Sequence, residues 1–279
     1  MNVENDRGLS PTKVAEGKTK IIWATNDPGK VRIESKDDIT AGDGLKRDVI
    51  AGKAAIATET TVNVFKLLEA NGVTTHFLDQ DSETSFLARR AQMIPLECVA
   101  RRIATGSFLK RRPDMPEGQI FDAIPVEFYV KDDAHHDPII EYDSNSGHVS
   151  LFDAKQPVIS RQPIGQTTLE DLGVSAHELE TIRFLTTRVF EVIEKAWTEQ
   201  NIALVDLKIE FGRDSEGDLM VADVIDNDSW RIWPGGDKSQ MLDKQKYRNM
   251  EKPTLEQLSL IRDDYKRVAE MTRGFVTPD

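Results

Sequence analysis

From residue 204 onward, apolar and polar side chains alternate with a period of two. Val205, Leu207, Ile209 and Phe211 fall on one face of a strand, and Asp206, Lys208 and Glu210 on the other. The polar stretch 213–218 contains Gly217 and reads as a turn. The apolar run VADVID follows, so a hairpin is predicted. If it closes symmetrically about Glu216 and Gly217, Glu210 faces Asp223. Two carboxylates opposed across a strand pair repel each other. A solvated strand face is the plainer reading of the Asp-Lys-Glu alternation alone. Asp223 argues against it, because its neighbours are apolar and a buried carboxylate needs a partner. A divalent cation is the simplest candidate, with Lys208 one step along the same face. Two carboxylates plus phosphate oxygens are a common way to hold Mg2+.

Elsewhere the same periodicities divide the chain. Residues 13–36 predict two strands, KTKIIWA and KVRIES, joined by the turn NDPG. A polar loop at 37–44 leads into a helix over 48–70. Its stripe is Ile50, Ala54, Ala57, Thr61, Val64 and Leu68, and Asn71-Gly72 stops it. Short extended pieces follow at 74–78, 84–88 and 96–103. Pro113, Pro116 and Gly118 mark a joint, and a strand follows at 124–131. The stretch 132–173 reads as a long functional or inserted loop. A long helix starts at Ser175, where Glu178 completes a capping box, and carries Leu179, Ile182, Leu185, Val189, Val192 and Ala196 on one face. The last helix starts at Thr254 with Gln257 at the matching position. Leu255, Leu258, Ile261, Tyr265 and Val268 are read as its inner face, and Gly274 as its stop. Strand meanders with a few packed helices make this an α+β chain. The joint divides it into a smaller β-rich lobe, 1–112, and a larger α+β lobe, 113–279.

Composition narrows the function classes. The 279 residues are 39% hydrophobic and 30% charged, enough for a large core. A net charge of −12 argues against a general nucleic-acid or anionic-membrane binder. The single cysteine, Cys98, excludes an internal disulfide framework and a cysteine-based zinc site. The start, MNVENDRGLSPTKVAEGK, lacks the apolar core of a secretory signal, and no run approaches the ~20 apolar residues of a membrane span. A cytoplasmic protein is expected.

Three loops add candidate chemistry. Gly17, Lys18 and Lys20 head the first hairpin. They lack the spacing of a Walker-type loop, but a glycine with alternating lysines can lay N–H and ammonium groups over phosphates. Solvated surface lysines are the plainer reading. The 37–44 loop offers Asp38, Thr40 and two glycines for close backbone approach, and a mere helix-entry loop is its alternative. Residues 101–112 are the most basic segment. Arg101 leaves an apolar strand in register to point inward, and Thr105-Gly106-Ser107 forms a small-residue turn suited to a phosphate. A basic surface helix competes with that reading. His135 and His136 lack metal-ligand spacing and are read as loop residues. Trp230 and Trp233 are read as packing residues.

The motifs EGKTK, DDITAGDG, MIPLECVARRIATGSFLKR, KDDAHHDP, LVDLKIEFG and ADVIDNDSWRIW stand in this order along residues 15–247. In this the chain resembles the phosphoribosylaminoimidazole-succinocarboxamide synthase (SAICAR synthetase) family, and its wording looks nearest the synthetase part of the bifunctional animal enzyme. The resemblance implies two lobes of antiparallel sheets and packed helices, with a nucleotide cleft between them like that of kinases and ATP-grasp proteins. It implies an ATP-dependent ligase of purine biosynthesis that joins L-aspartate to the carboxylate of carboxyaminoimidazole ribonucleotide through an acyl phosphate. By motif position it implies Gly17, Lys18 and Lys20 on ATP phosphates, Met93 at adenine, and Glu210 and Asp223 on Mg2+. Arg101, Ser107 and Arg231 would hold the nucleotide substrate. Asp206 and Lys208 would flank the reacting groups, with Lys208 also reaching ATP. Asp38, Thr40 and Lys131 would line the cleft, some of them meeting aspartate. ATP and Mg2+ are the expected cofactors, the substrates are small molecules, and a homodimer is possible. A small-molecule kinase of related fold is the alternative, one that would spend ATP without aspartate.

Overall fold

The computed structural model describes residues 12–42 and 44–276. The reading of the extreme N-terminus and of Asp43 in the glycine loop lies outside the described residues. Strands β1 (Lys13–Glu16), β2 (Lys20–Ala24) and β3 (Lys30–Ser35) open the chain. A ribbon of β4 (Asp38–Ala41) and β5 (Lys46–Val49) leads to helix α1 (Lys53–Ala70). Then come β6 (Phe77–Gln80), β7 (Ser85–Arg89), β8 (Gln92–Arg101) and the short α2 (Ser107–Arg111). Four strands follow: β9 (Val126–Val130), β10 (Ile139–Tyr142), β11 (His148–Phe152) and β12 (Gly165–Thr168). The remainder is α3 (Ala176–Thr198), β13 (Ile202–Arg213), β14 (Leu219–Ala222), β15 (Trp230–Pro234), α4 (Gln245–Asn249) and α5 (Leu255–Thr272).

Besides the β4-β5 ribbon, the described residues form two larger antiparallel sheets. The first has the order β1-β2-β3-β7-β6. The second runs β12-β11-β10-β9-β8-β13-β14, with β15 also paired to β13. The chain is thus α+β. One buried apolar cluster serves both sheets. It runs from Ile33 and Phe86 through Phe65 and Leu68 of α1 and Trp197 of α3 to Leu207, Ile209 and Phe211 of β13.

The structure also revises local expectations. The loop at 37–44 is mostly ribbon, because β4 pairs β5 from Asp38↔Val49 to Ala41↔Lys46. Helix α1 therefore begins at Lys53, after Gly52 turns the backbone at φ 85°. The long loop at 132–173 holds three strands that extend the second sheet. They are four or five residues long, too short for a periodic signal to stand out, and β12 (GQTT) carries no apolar side chain at all. The proline-rich turn after residue 112 lies between α2 and β9, and β9 pairs β8, so the sheet continues across it. Leu255 is 87% exposed, since it opens the first turn of α5 away from the stripe of Leu258, Ile261, Tyr265 and Val268.

Candidate functional site

Strand β13 carries the centre of the site because both its edges are paired. Asp206 sits opposite Arg101 of β8 on one side and Arg231 of β15 on the other. Arg101 Nη1 donates to Asp206 Oδ2 at 2.7 Å, and Arg231 donates to the same oxygen. Arg101 also donates to Glu127 of β9 at 2.9 Å, and Arg111 of α2 donates to the other Glu127 oxygen at 2.5 Å. Burial pushes the Glu127 carboxyl up, but Arg101 and Arg111 outweigh it and hold the group below its usual range. Arg101 thus points inward, as its register requires. Gly106 lies against the Arg231 guanidinium at φ +63°, and an added Cβ would come within 2.9 Å of Nη2. Ser107, the first residue of α2, lines the same cleft of about 380 Å³ as these arginines.

Farther along β13, Lys208 Nζ lies 2.9 Å from Glu97 and 3.0 Å from Glu210. Burial disfavours its charge, yet Glu210 and Glu97 hold its pKa above the ordinary lysine value. Glu210 is 3% exposed and also takes a 2.8 Å bond from Lys131. Burial opposes its ionisation, but Lys208, Lys131 and Lys20 bring its pKa down to about 2. The hairpin closes one residue off the symmetric expectation, so Glu210 pairs Ala222 rather than Asp223. The Asp214 side chain explains this: it accepts from Glu216 N (2.9 Å) and Asp218 N (3.0 Å), centring the turn on Glu216. Asp223 comes just past β14 and forms an ion pair with Lys20. Glu210 and Asp223 still share one wall, that of a second cavity of about 330 Å³. Lysines supply the positive charge there. Among the described residues no group of three or more His, Cys, Asp or Glu is gathered as a metal site.

The second cavity is largely apolar, lined by Ile22, Val31, Ile33 and a 43% exposed Met93. Lys20 and Asp223 line both cavities and mark where they meet. Lys131 faces the apolar cavity. Lys18 and Thr40 reach the polar cleft. Gly17 is exposed and uses its N–H to bond Lys20 O at 2.9 Å, closing the turn before β2. Asp38 is held by Arg47 Nε at 2.6 Å.

Sequence reasoning passed over one cluster. Asp228 receives Tyr265 Oη at 2.7 Å and Lys244 Nζ at 3.0 Å, with Lys53 Nζ 3.5 Å away. Burial pushes Asp228 up, but Lys53 and Lys244 hold it well below its ordinary value. Burial, together with the charge of Asp228, raises Asp226. Both aspartates, with Ser229 and Lys244, border the polar cleft. Two signals were available: a pair of aspartates beside apolar VADVI, and a lysine next to the buried stripe of α1.

Comparison with known proteins gives the chain its family. The family model for SAICAR synthetase matches residues 13–261. Over 265 residues the chain is 49% identical to the phosphoribosylaminoimidazole-succinocarboxamide synthase of Roseiflexus castenholzii, covering 95% of this chain and 97% of that protein. It is 44% identical over 260 residues to a bifunctional phosphoribosylaminoimidazole carboxylase/phosphoribosylaminoimidazole succinocarboxamide synthetase of Homo sapiens, covering 92% of this chain and 57% of the longer protein. A bacterial protein therefore matches more fully than the animal enzyme whose wording looked nearest. A solved SAICAR synthetase (Type-2) in complex with ADP superposes with a TM-score of 0.76 at 32% identity, covering 95% of this chain and 99% of that one.

Proposed function

This chain belongs to the SAICAR synthetase family, and from that premise we propose that its cleft joins L-aspartate to the carboxylate of carboxyaminoimidazole ribonucleotide, splitting ATP to ADP and phosphate in purine biosynthesis. A carboxylate resists amines until one of its oxygens becomes a good leaving group. Its oxygen attacks the γ-phosphorus and ADP departs, giving an acyl phosphate. The amine of aspartate then attacks the acyl carbon, loses a proton and expels phosphate. The protein must align three anionic reactants and offset their charge.

The observation that carries this reading is the meeting of two unlike cavities at Lys20 and Asp223. The apolar one suits a purine base, with Met93 at its wall. The polar one suits a phosphorylated substrate, held by Arg101, Ser107 and Arg231. Asp206 bonds both arginines, and its role in this reading is to fix their forks against a phosphate. Lys18 and Lys20 take ATP phosphates, and Gly17 shapes their turn. Lys208 is kept charged by two glutamates, and its role in this reading is to offset charge developing on the transferred phosphoryl group. Thr40 reaches the polar cleft and Lys131 the apolar cavity, whereas Asp38, expected to line the cleft, is buried against Arg47 and lines neither.

Glu210 and Asp223 are the oxygen ligands we assign to Mg2+. The donor set fits: Glu210 is held ionised, and the two carboxylates share a cavity wall. When bound, the ion supplies charge neutralisation for the polyphosphate. We infer a smaller, nucleotide-contacting lobe built on the first sheet and a larger substrate lobe on the second, with β8 contributing Met93. For a homodimer working in the cytoplasm the support is the family resemblance alone.

The test is product analysis by mass spectrometry after mixing the protein with Mg·ATP, the imidazole carboxylate nucleotide and aspartate. The succinocarboxamide nucleotide is expected, and only with aspartate present. Stoichiometric ATP consumption without aspartate, leaving a phosphorylated nucleotide, would identify a kinase instead.

A further inference from the structure

The residue at the junction of the two cavities, Asp223, has a backbone that needs holding. Its φ is +67°, left-handed for a residue with a side chain. Such a conformation is strained and persists where surrounding structure enforces it. The enforcing contact comes from the segment between α1 and β6. His76 Nε2 lies 2.9 Å from the carbonyl oxygen of Asp223. A carbonyl only accepts, so Nε2 carries the proton in this pair. The same segment grips β14 twice more: His76 N–H donates to Val221 O at 2.9 Å, and Val221 N–H donates to Thr74 O at 3.0 Å. Thr75 and Val221 form a parallel bridge there. Arg89 of β7 anchors the segment, donating from Nη1 to Thr75 O and from its backbone N–H to His76 O, both at 2.7 Å.

The imidazole has little freedom to do anything else. It is 2% exposed and sits edge-on between Phe65 and Phe86, with ring centroids at 5.3 and 5.8 Å. Glu210, by contrast, is fixed within the second sheet by β13. The spacing of the two carboxylates is therefore set partly by how the segment at 74–76 seats the end of β14.

We infer that His76 is a positioning residue for Asp223: its hydrogen bond to the Asp223 carbonyl fixes the left-handed turn that aims this carboxylate at the same point as Glu210. The inference rests on the reading of Asp223 as a magnesium ligand. His76 borders the apolar cavity, but its Nε2 is committed to the Asp223 carbonyl, and the role assigned to it runs through Asp223.

The test compares three variants of the full chain, His76→Leu, His76→Gln and Asp223→Asn. One readout is Mn2+ binding to the ADP-loaded protein, followed by the electron paramagnetic resonance of free Mn2+. The other is the Mg2+ concentration at half-maximal rate. Partners that orient a metal ligand typically govern about 10- to 100-fold in metal affinity, so His76→Leu is expected to weaken Mn2+ binding roughly tenfold and raise the Mg2+ requirement in parallel. The KM for the imidazole nucleotide should stay unchanged. His76→Gln, which keeps an N–H at similar reach, should recover most of the loss. If His76→Leu does not melt cooperatively, His76→Asn, too short to reach the carbonyl, replaces it with the same expected loss. Equal weakening in His76→Gln and the truncated variant overturns the inference, as does normal Mn2+ binding without the imidazole while Asp223→Asn weakens it. If Asp223→Asn also binds Mn2+ normally, the magnesium assignment of Asp223 fails, and the role of His76 fails with it.

Discussion

At the scale of single residues, the site is a set of charges that restrain one another. Gly106 shows how tight the fit is. Alanine there must adopt φ +63° and place its Cβ 2.9 Å from the Arg231 guanidinium. Gly106→Ala should cost about 1 kcal/mol of stability and displace Arg231. Steady-state kinetics should then show the KM for the imidazole nucleotide rising several-fold, with that for ATP little changed. An unchanged nucleotide KM would mean that Arg231 does not hold this substrate. Lys208→Met removes a cation from between Glu97 and Glu210, and kcat should fall by about 10²- to 10³-fold. A loss of a few-fold would make Lys208 peripheral. The inward arginine was readable because strand period dictates direction. The Asp228 cluster gave separate signals but no grouping, because Lys53, Asp228, Lys244 and Tyr265 come from four separate segments and meet only in the fold.

Among elements, the helices with chemical punctuation were the most legible. Both capping boxes form as read: Ser175 with Glu178 at the head of α3, and Thr254 with Gln257 at the head of α5. Ser175→Ala should cost about 1 kcal/mol, seen in urea unfolding as a lower midpoint at constant slope, with turnover unaffected. A variant as stable as the parent would show that α3 is held by its packing alone. Strands β10 to β12 were hidden because runs of four or five residues leave little periodic signal, and the sheet beside them supplies their order. The hairpin was legible as an element but not in register, since a single side chain, Asp214, sets which residues oppose.

For the molecule as a whole, acid stability should report on the bridge between α2, β9 and β8. Glu127 has a folded pKa below its ordinary value of 4.5, because Arg101 and Arg111 outweigh burial. Its contribution is therefore fully present above about pH 4.5 and is lost as pH falls through the lower folded value. Glu127→Gln should be less stable than the parent at neutral pH, with the gap narrowing steadily below about pH 4 in denaturant titrations. A gap that stays constant down to acid pH would show that its charge contributes nothing. The expected two-lobe division was drawn from a proline-rich turn, yet β8 and β9 pair across that turn and a single interior serves both sheets.

That shared interior contains the only thiol in the protein, Cys98, fully buried on β8 and pushed up to about 12 by burial. A neutral disulfide reagent can reach it only when β8 parts from its cover. Labelling speed then times the opening of this shared interior from within, and if a triphosphate braces both sheets, as proposed, its binding should slow that clock.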